Sequence, residues 1–377
     1  MYSVRLIDSL EQFRTMETVW EDLKRRGNDH LIYSAHPWLT LFFERFAAKA
    51  EPYILMVMDG ETAVGAAPLM RVDGTYTKIA ARRLEFASSS IIGDLNDFIV
   101  AEDRKAVTDA IFDWLWTHPG DWDYAFLMLF LKGYHVEESY PGRLGARKVP
   151  FRTKRGPDGY KMAINGSWDD YYATRSANLK KMLNNRANRM EKEGGMTIEH
   201  YTTPEEVETA IAEMRSVHER SWQGTDGCGV FSPRQKGFYE AFAALAAERG
   251  LLDVWILKVA GTPVAMEYSV VYNGVAHCLK WEYDGDYGKL SPGLVLRRHS
   301  LQHYFDRGLQ ACDLLSRYGE MKLKWTDEPT ETHDLLFFNS TAKGRLLHQA
   351  SNMRASIKNL QKRFRPSETE EEYVAGI

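Results

Sequence analysis

The segment WEYDGDYGKLSPGLVLRRHS, Trp281 to Ser300, concentrates residue types that do chemistry. Two carboxylates, Glu282 and Asp284, are followed by Gly288, Lys289, Ser291, Pro292, Gly293, Leu294, Arg297 and Arg298. Proline is favoured at the first position of a helix and serine just before it, so Ser291-Pro292 predicts a helix opening here. A helix N-terminus offers unpaired N–H groups and the positive end of the dipole, which suits a phosphate. Gly288 and Gly293 let backbone come close to a ligand, and Lys289, Arg297 and Arg298 add positive charge. The same residues also make an ordinary capped turn from strand to helix. Spacing alone leaves both readings open.

Three carboxylates near this loop are candidates for moving a proton. Side chains alternate along a strand, so Lys280, Glu282 and Asp284 share one face. A carboxylate at a strand end beside a ligand loop is a natural base; equally, Glu282 is a solvated residue paired with Lys280. Glu267, in VAMEYSVV, is a lone carboxylate in mid-strand. It lies either on a solvent face or buried with a raised pKa. Tyr318 follows the next apolar run and by itself reads as a packing tyrosine.

An internal echo supplies the frame for these residues. ILMVMDGETAVGAAPLMRVDG, Ile54 to Gly74, and VWILKVAGTPVAMEYSVVYNG, Val254 to Gly274, each read as a hairpin with glycine at the turn and at the close. A helix precedes each, Trp38 to Ala47 and Gln235 to Arg249. After each come a third strand, a helix and a further apolar strand. These are Arg83 to Ala87, Asp103 to Trp116 and Tyr124 to Phe130 in the first half. In the second they are Val275 to Tyr283, Gly293 to Gly308 and Ala311 to Ser316. Strands alternating with single helices predict a mixed α/β sheet in each half. The boundary falls in RTKRGPDGY, Arg152 to Tyr160, which is basic, carries Gly and Pro, and reads as a linker.

The second half opens with a short strand, YKMAI, and one long helix, Trp168 to Glu193, closed by Gly194-Gly195. Arg175, Lys180, Lys181, Arg186, Arg189 and Lys192 stud this helix, with Asn178, Asn184, Asn185 and Asn188 between them. Such a run is a solvated face or the seat of an anionic partner. SWQGTDGCGVFSPRQ, Ser221 to Gln235, is a Gly-rich loop with Trp222, fitted to cover a site or to bridge two helices. The last helix, Thr341 to Phe364, is stopped by Pro366, and 367–377 is an acidic tail expected to be flexible.

Bulk properties narrow the classes. The 377 residues suit two domains, and a net charge of −4 gives no support to a DNA-binding role. Cys228, Cys278 and Cys312 are odd in number and without CxxC spacing, which favours reduced thiols in the cytoplasm. The N-terminus has no basic leader before an apolar run, and the most apolar stretch, Tyr124 to Leu131, is too short to span a bilayer. A peripheral visit to a membrane surface stays open. His299 and His303 stand i, i+4 on a helix, and His30 and His36 also invite a metal; neither pair has a third ligand in sequence, so no metal is expected.

A hairpin, a third strand, a glycine-bearing loop opening a helix, then a further strand resembles the GNAT acyltransferase fold. There the loop reads Arg/Gln-x-x-Gly-x-Gly/Ala and holds the pyrophosphate of acyl-CoA; KLSPGL keeps Gly293 and a basic residue, Lys289. Ser-Pro-Gly here is similar to a tandem branch of N-acetyltransferases tied to cellulose and exopolysaccharide biosynthesis and related to Fem-type peptidyltransferases. YYATRSANLKKMLNNRANRMEKEGG, EYDGDYGKLSPGLVL and CDLLSRYGEMKLKW, with Gly319, Lys322 and Trp325, carry that likeness. The resemblance implies an α/β fold of two tandem GNAT-like domains, each a mixed sheet flanked by helices. Residues 1–155 would form the first, without acyl-CoA, and 156–366 the second, with acyl-CoA.

The resemblance also implies roles. Gly288, Lys289, Ser291, Gly293, Leu294, Arg297 and Arg298 would contact acetyl-CoA or another acyl-CoA. Glu282, Asp284 or Glu267 would take the proton of an amine, and Tyr318 would protonate the departing thiolate. Arg175, Asn178, Lys181, Trp222, Lys322 and Trp325 would face the acceptor, an amino sugar or other glycan-precursor amine. In the first copy FASSSIIGDLNDFIV replaces the Ser-Pro-Gly loop, and Gly93-Asp94 and Asn96-Asp97 would line the cleft between the copies. Two alternatives remain. One is a Fem-type transferase using aminoacyl-tRNA, with RNA on the basic helix. The other is a non-catalytic binding or regulatory protein on a degenerate acyltransferase scaffold.

Overall fold

The computed structural model describes residues 2–327 and 329–364; Pro366 and the acidic tail lie outside the described residues. In the first half the principal elements are β1 (Ser3–Ile7), α1 (His36–Phe46), β2 (Ile54–Asp59), β3 (Thr62–Ala67), β4 (Leu69–Tyr76) and β5 (Ile79–Phe86). They continue with α2 (Arg104–Thr117), β6 (Tyr124–Leu131), α3 (His135–Ala146) and β7 (Phe151–Arg155). The second half has β8 (Gly159–Ala163), α4 (Trp168–Thr174), α5 (Ala177–Lys192), β9 (Met196–Tyr201), α6 (Val207–Glu219) and α7 (Phe238–Glu248). There follow β10 (Leu252–Val259), β11 (Thr262–Tyr272), β12 (Val275–Tyr283), α8 (Pro292–Asp306), β13 (Ala311–Ser316) and α9 (Gly319–Lys322). Last come β14 (Thr332–Phe338) and α10 (Ala342–Phe364).

The echo in sequence is an echo in topology. β10, β11 and β12 form an antiparallel meander, and β13 returns parallel to β12 through α8. In the first half β5 and β6 are likewise parallel, joined through α2. Pro68 divides the corresponding long hairpin arm into β3 and β4, because proline cannot donate to a ladder. The first half consequently has two sheets, β1–β2–β3 with a short strand at Ile99–Val100, and β4–β5–β6–β14–β7 with a short strand at Glu51–Pro52. The second sheet runs β9–β10–β11–β12–β13–β8 and ends on a short strand at Pro329–Thr330.

Three expectations change. The basic segment from Arg152 is not all linker: Phe151–Arg155 is β7, paired with β14. β14 also pairs with β6, so the chain beyond Thr332 completes the first sheet rather than remaining with 156–330. The apolar edge of β6 explains this, since YAFLMLFL needs a partner on its open side. The long basic helix is two helices. Arg175 has an extended backbone, and Ser176 caps α5, its Oγ accepting from the Leu179 N–H at 3.2 Å.

The halves share a core. Trp38 on α1 packs edge-on against Phe238 and Phe242 of α7, with ring centroids 4.7 Å and 4.8 Å away. Aromatic pairs of this geometry add about 0.5–1.5 kcal/mol each beyond the area they bury. The face of the second sheet that carries His277, Lys280 and Asp313 is thereby held against the first half. Among the described residues no helix is long and apolar enough to cross a membrane.

Candidate functional site

The two parallel strand pairs open like a V. β12 and β13 pair only from Val275–Ala311 to His277–Asp313, then diverge. β5 and β6 pair only at Arg83–Tyr124 and Leu84–Ala125. In the first half the opening is filled by the chain itself. The Asn96 N–H donates to the Leu129 carbonyl at 3.1 Å, and Asn96 bridges to Phe130 as a short parallel strand would. Asp97 then binds the N–H groups of His135 and Val136 at 2.9 Å and 3.0 Å, and burial pushes its pKa up to about 7.

In the second half no such bridge lies between β12 and β13 among the described residues. Charged groups gather at the opening instead. Asp94, from the loop that plugs the first V, reaches across to the end of β13. It accepts from the Ser316 N–H at 3.1 Å and Oγ at 2.9 Å. Lys322 Nζ donates to the carbonyls of Ser316 at 2.6 Å and Leu315 at 3.2 Å. Burial pushes Lys322 down to about 8, against the pull of Asp94 and Asp313. Burial likewise pushes Asp94 up, with Lys322 opposing. Leu315, Arg317 and Tyr318 all have positive φ, so the backbone here is strained where the strand ends.

A bulge at Leu279 decides which side chains meet the V. Tyr268 pairs with Lys280 but Ser269 pairs with Cys278, so one residue of β12 is extra. Cys278, Trp281 and Tyr283 therefore pack toward α8. Lys280 lies 4.8 Å from the Tyr239 ring centroid. Burial works against its charge, and Tyr239, Glu282 and Asp94 together hold its pKa above the ordinary lysine value.

Each expected carboxylate is held by protein partners. Glu282 Oε2 accepts from His218 Nδ1 at 2.7 Å and Ser221 Oγ at 3.0 Å, and Oε1 from the Val230 N–H at 3.1 Å. It is buried and fastens the 221–235 loop to the sheet; a Cβ on Gly229 would lie 2.5 Å from Oε1. Asp284 caps the following turn through the Asp286 N–H and pairs with Arg220 Nε at 2.6 Å. Glu267 is fully buried, 3.0 Å from Arg297 Nε and 3.1 Å from Ser300 Oγ. Neither Glu267 as an accessible base nor Arg297 as a phosphate contact fits this arrangement. Burial works against the Arg297 charge, and Cys278 and Glu267 more than offset it. The pair spans the core beneath the V, where breaking it would leave one charge alone.

The loop residues divide in two. Gly288, Lys289, Ser291 and Arg298 remain at the surface around the start of α8, with Arg298 Nη1 2.9 Å from Asn184 Oδ1 of α5. Ser291 precedes the helix with φ 46° and makes no side-chain cap, leaving the first N–H groups of α8 without a hydroxyl partner. Gly293 is glycine for another reason than the one expected: a Cβ would stand 2.4 Å from Trp281 Nε1. Leu294 is core.

The expected acceptor-side residues do not form one site. Arg175 makes a two-pronged pair with Asp327, at 3.0 Å and 2.5 Å, and lies over Tyr171. It lines a cavity of about 620 Å³ with Asn178, Leu323 and Lys324. Lys181 lies in an adjoining groove along α5 with Arg186, Arg189 and Lys192, none of them in an ion pair among the described residues. Trp325 is core, its carbonyl accepting from Tyr171 at 2.5 Å, and Trp222 is 45% exposed on the far loop. Tyr318 is 74% exposed beside Lys322. Sequence reasoning did not single out His218, which no motif marks, and gave Asp94 and Lys280 only supporting parts.

Residues 177–324 match the acetyltransferase (GNAT) domain family. This is a tandem GNAT-fold chain. Its fold is similar to FemX, with TM-score 0.61 at 10% identity over 87% of this chain and 97% of that one. L-PGS from Bacillus licheniformis matches with TM-score 0.50 at 14% identity over 94% and 99%. A tandem GNAT protein from the clavulanic acid pathway matches with TM-score 0.50 at 10% identity over 90% and 100%. At such identities the likeness establishes the fold alone. No curated protein sequence matches the chain. A GNAT domain supports acyl transfer as the reaction class, and acyl-CoA is the donor that this fold generally uses.

Proposed function

We propose that the chain is an acyl-CoA-dependent N-acyltransferase whose donor enters the V between β12 and β13. The observation that carries this reading is the V itself. Among the described residues it is left unbridged in the second half, with a desolvated Lys322 at its mouth. The pyrophosphate would meet the uncapped start of α8, Gly288, Lys289 and Arg298. The thioester would lie at the divergence of the strands. An amine, of the amino-sugar or glycan-precursor class, would approach from the side of Asp94 and Lys280.

Acyl transfer needs a proton taken from the amine, a stabilised oxyanion and a protonated thiolate. With a pKa of about 8, Lys322 is protonated at neutral pH and close to its switching point. It would steady the oxyanion and hand its proton to the departing thiolate. The exposed Tyr318 hydroxyl is a second donor beside it. His218, oriented by Glu282, would take the proton of the amine, so Glu282 acts without touching substrate. Direct attack in a ternary complex needs no covalent intermediate.

A second reading has one specific observation behind it. The unpaired Lys181, Arg186, Arg189 and Lys192 along α5 suit a polyanion such as aminoacyl-tRNA. Calorimetric titration separates the two. Saturable acetyl-CoA binding supports the first; no acetyl-CoA binding, with transfer only when aminoacyl-tRNA is supplied, replaces it with the second.

A further inference from the structure

We infer that His200, Asp253 and His303 form a binding site for one divalent transition-metal ion of the zinc class. The site lies at the far edge of the second sheet and is independent of the acyl-transfer reading. The sequence offered His303 only with His299, one turn away, and no third ligand. The fold supplies the missing donors from elsewhere: His200 from β9 and Asp253 from β10, beside His303 on α8. Their ligand atoms all lie within 4.8 Å of one another.

Donors around a tetrahedral zinc at bond lengths of ~2.0–2.2 Å stand roughly 3.4 Å apart. Small side-chain rotations therefore bring these three onto one ion. His200 Nε2 is already 2.9 Å from Asp253 Oδ1, and the ion takes the place of the hydrogen between them, which moves to Nδ1 of the same ring.

The surroundings orient the donors as a metal site requires. Asp253 is fully buried, and its other oxygen, Oδ2, accepts from Tyr304 at 2.5 Å and Trp255 Nε1 at 2.9 Å. The His200 ring stacks on Trp255 at 3.8 Å with the planes 10° apart. His303 stands edge-on to both, 4.9 Å from His200 and 5.1 Å from Trp255. No hydrogen bond engages the His303 ring among the described residues. A simple ion pair uses one histidine and leaves this second imidazole without a purpose. Both histidines are only half-buried, so an ion has a path in and a fourth position for water. Arg307 Nη1 is 3.7 Å from Asp253 Oδ1 on a substantially exposed side chain, free to swing away when the cation arrives.

Co(II) titration of the full-length, tag-free chain tests the site. A single equivalent should bind and give the visible bands of a four-coordinate nitrogen–oxygen site, and Zn(II) should displace it and raise the Tm. His200→Ala and His303→Ala should each abolish the bands with an unchanged circular dichroism spectrum, while His299→Ala keeps them. No saturable Co(II) binding by the wild-type chain overturns the proposal. So do bands that persist in both His200→Ala and His303→Ala.

Discussion

Between β5 and β6 the chain inserts its own backbone at Asn96; between β12 and β13 no described residue is inserted, and Asp94, Lys280 and Lys322 gather at the opening. One loop serves both ends of this difference. The segment that plugs the first V carries Asp94 on to Ser316 of the second. Two units of one topology thus keep their strands while one opening is closed by the chain itself. The loop that closes it also reaches the strand end of the other unit.

The largest effect is expected at Lys322. Lys322→Ala should lower acetyl transfer to glucosamine by ~10²–10⁴-fold, the usual worth of a positioned proton donor, without unfolding the chain. A rate within a few-fold of wild type would remove Lys322 from the chemistry. Next in size is the seam between the copies. Trp38→Ala should cost about 3–5 kcal/mol in urea unfolding, because it empties a fully buried aromatic site shared by both halves. A much smaller loss would mean the halves do not depend on one core. Glu267→Ala should destabilise by a similar ~3–5 kcal/mol, by leaving Arg297 buried without its partner.

Asp94→Asn sharpens the comparison more gently. Asp94 raises the pKa of Lys322 against burial, so removing its charge lowers that pKa below about 8. A reaction that needs Lys322 protonated falls off as pH rises through this value. The alkaline limb should therefore move to lower pH in the variant; an unmoved limb would show that Lys322 does not set it. The smallest effect on folding is expected from Lys181→Gln, an exposed position in mid-helix, within about 0.5 kcal/mol. Any large loss of activity there would favour the polyanion donor.

Much of this was legible in sequence where periodicity is local. The second hairpin, Val275–Tyr283, Ala311–Ser316 and the start of α8 stand where alternation, Pro292 and the glycines put them, whereas Gly74, expected to close the first hairpin, lies inside β4. What failed depended on distant partners. Phe151–Arg155 looks like a linker because its ladder is completed by β14, far along the chain. Glu267 and Arg297 read as chemical groups because sequence cannot show that they face each other in the core. Glu282 reads in sequence as a base or a solvated residue, but it is buried and its partners His218, Ser221 and Val230 come from a helix and a loop more than fifty residues earlier. Gly293 reads in sequence as a place for backbone to approach a ligand; that a Cβ there would strike the Trp281 indole depends on a strand the sequence cannot place beside it.

The central claim is that the second V takes the donor and the first cannot. Hydrogen exchange with and without acetyl-CoA measures this directly. Protection is expected at 278–298 and 313–322, with exchange across 86–97 changed no further than Asp94 and its neighbours. Protection centred between β5 and β6, with none at the start of α8, would contradict it.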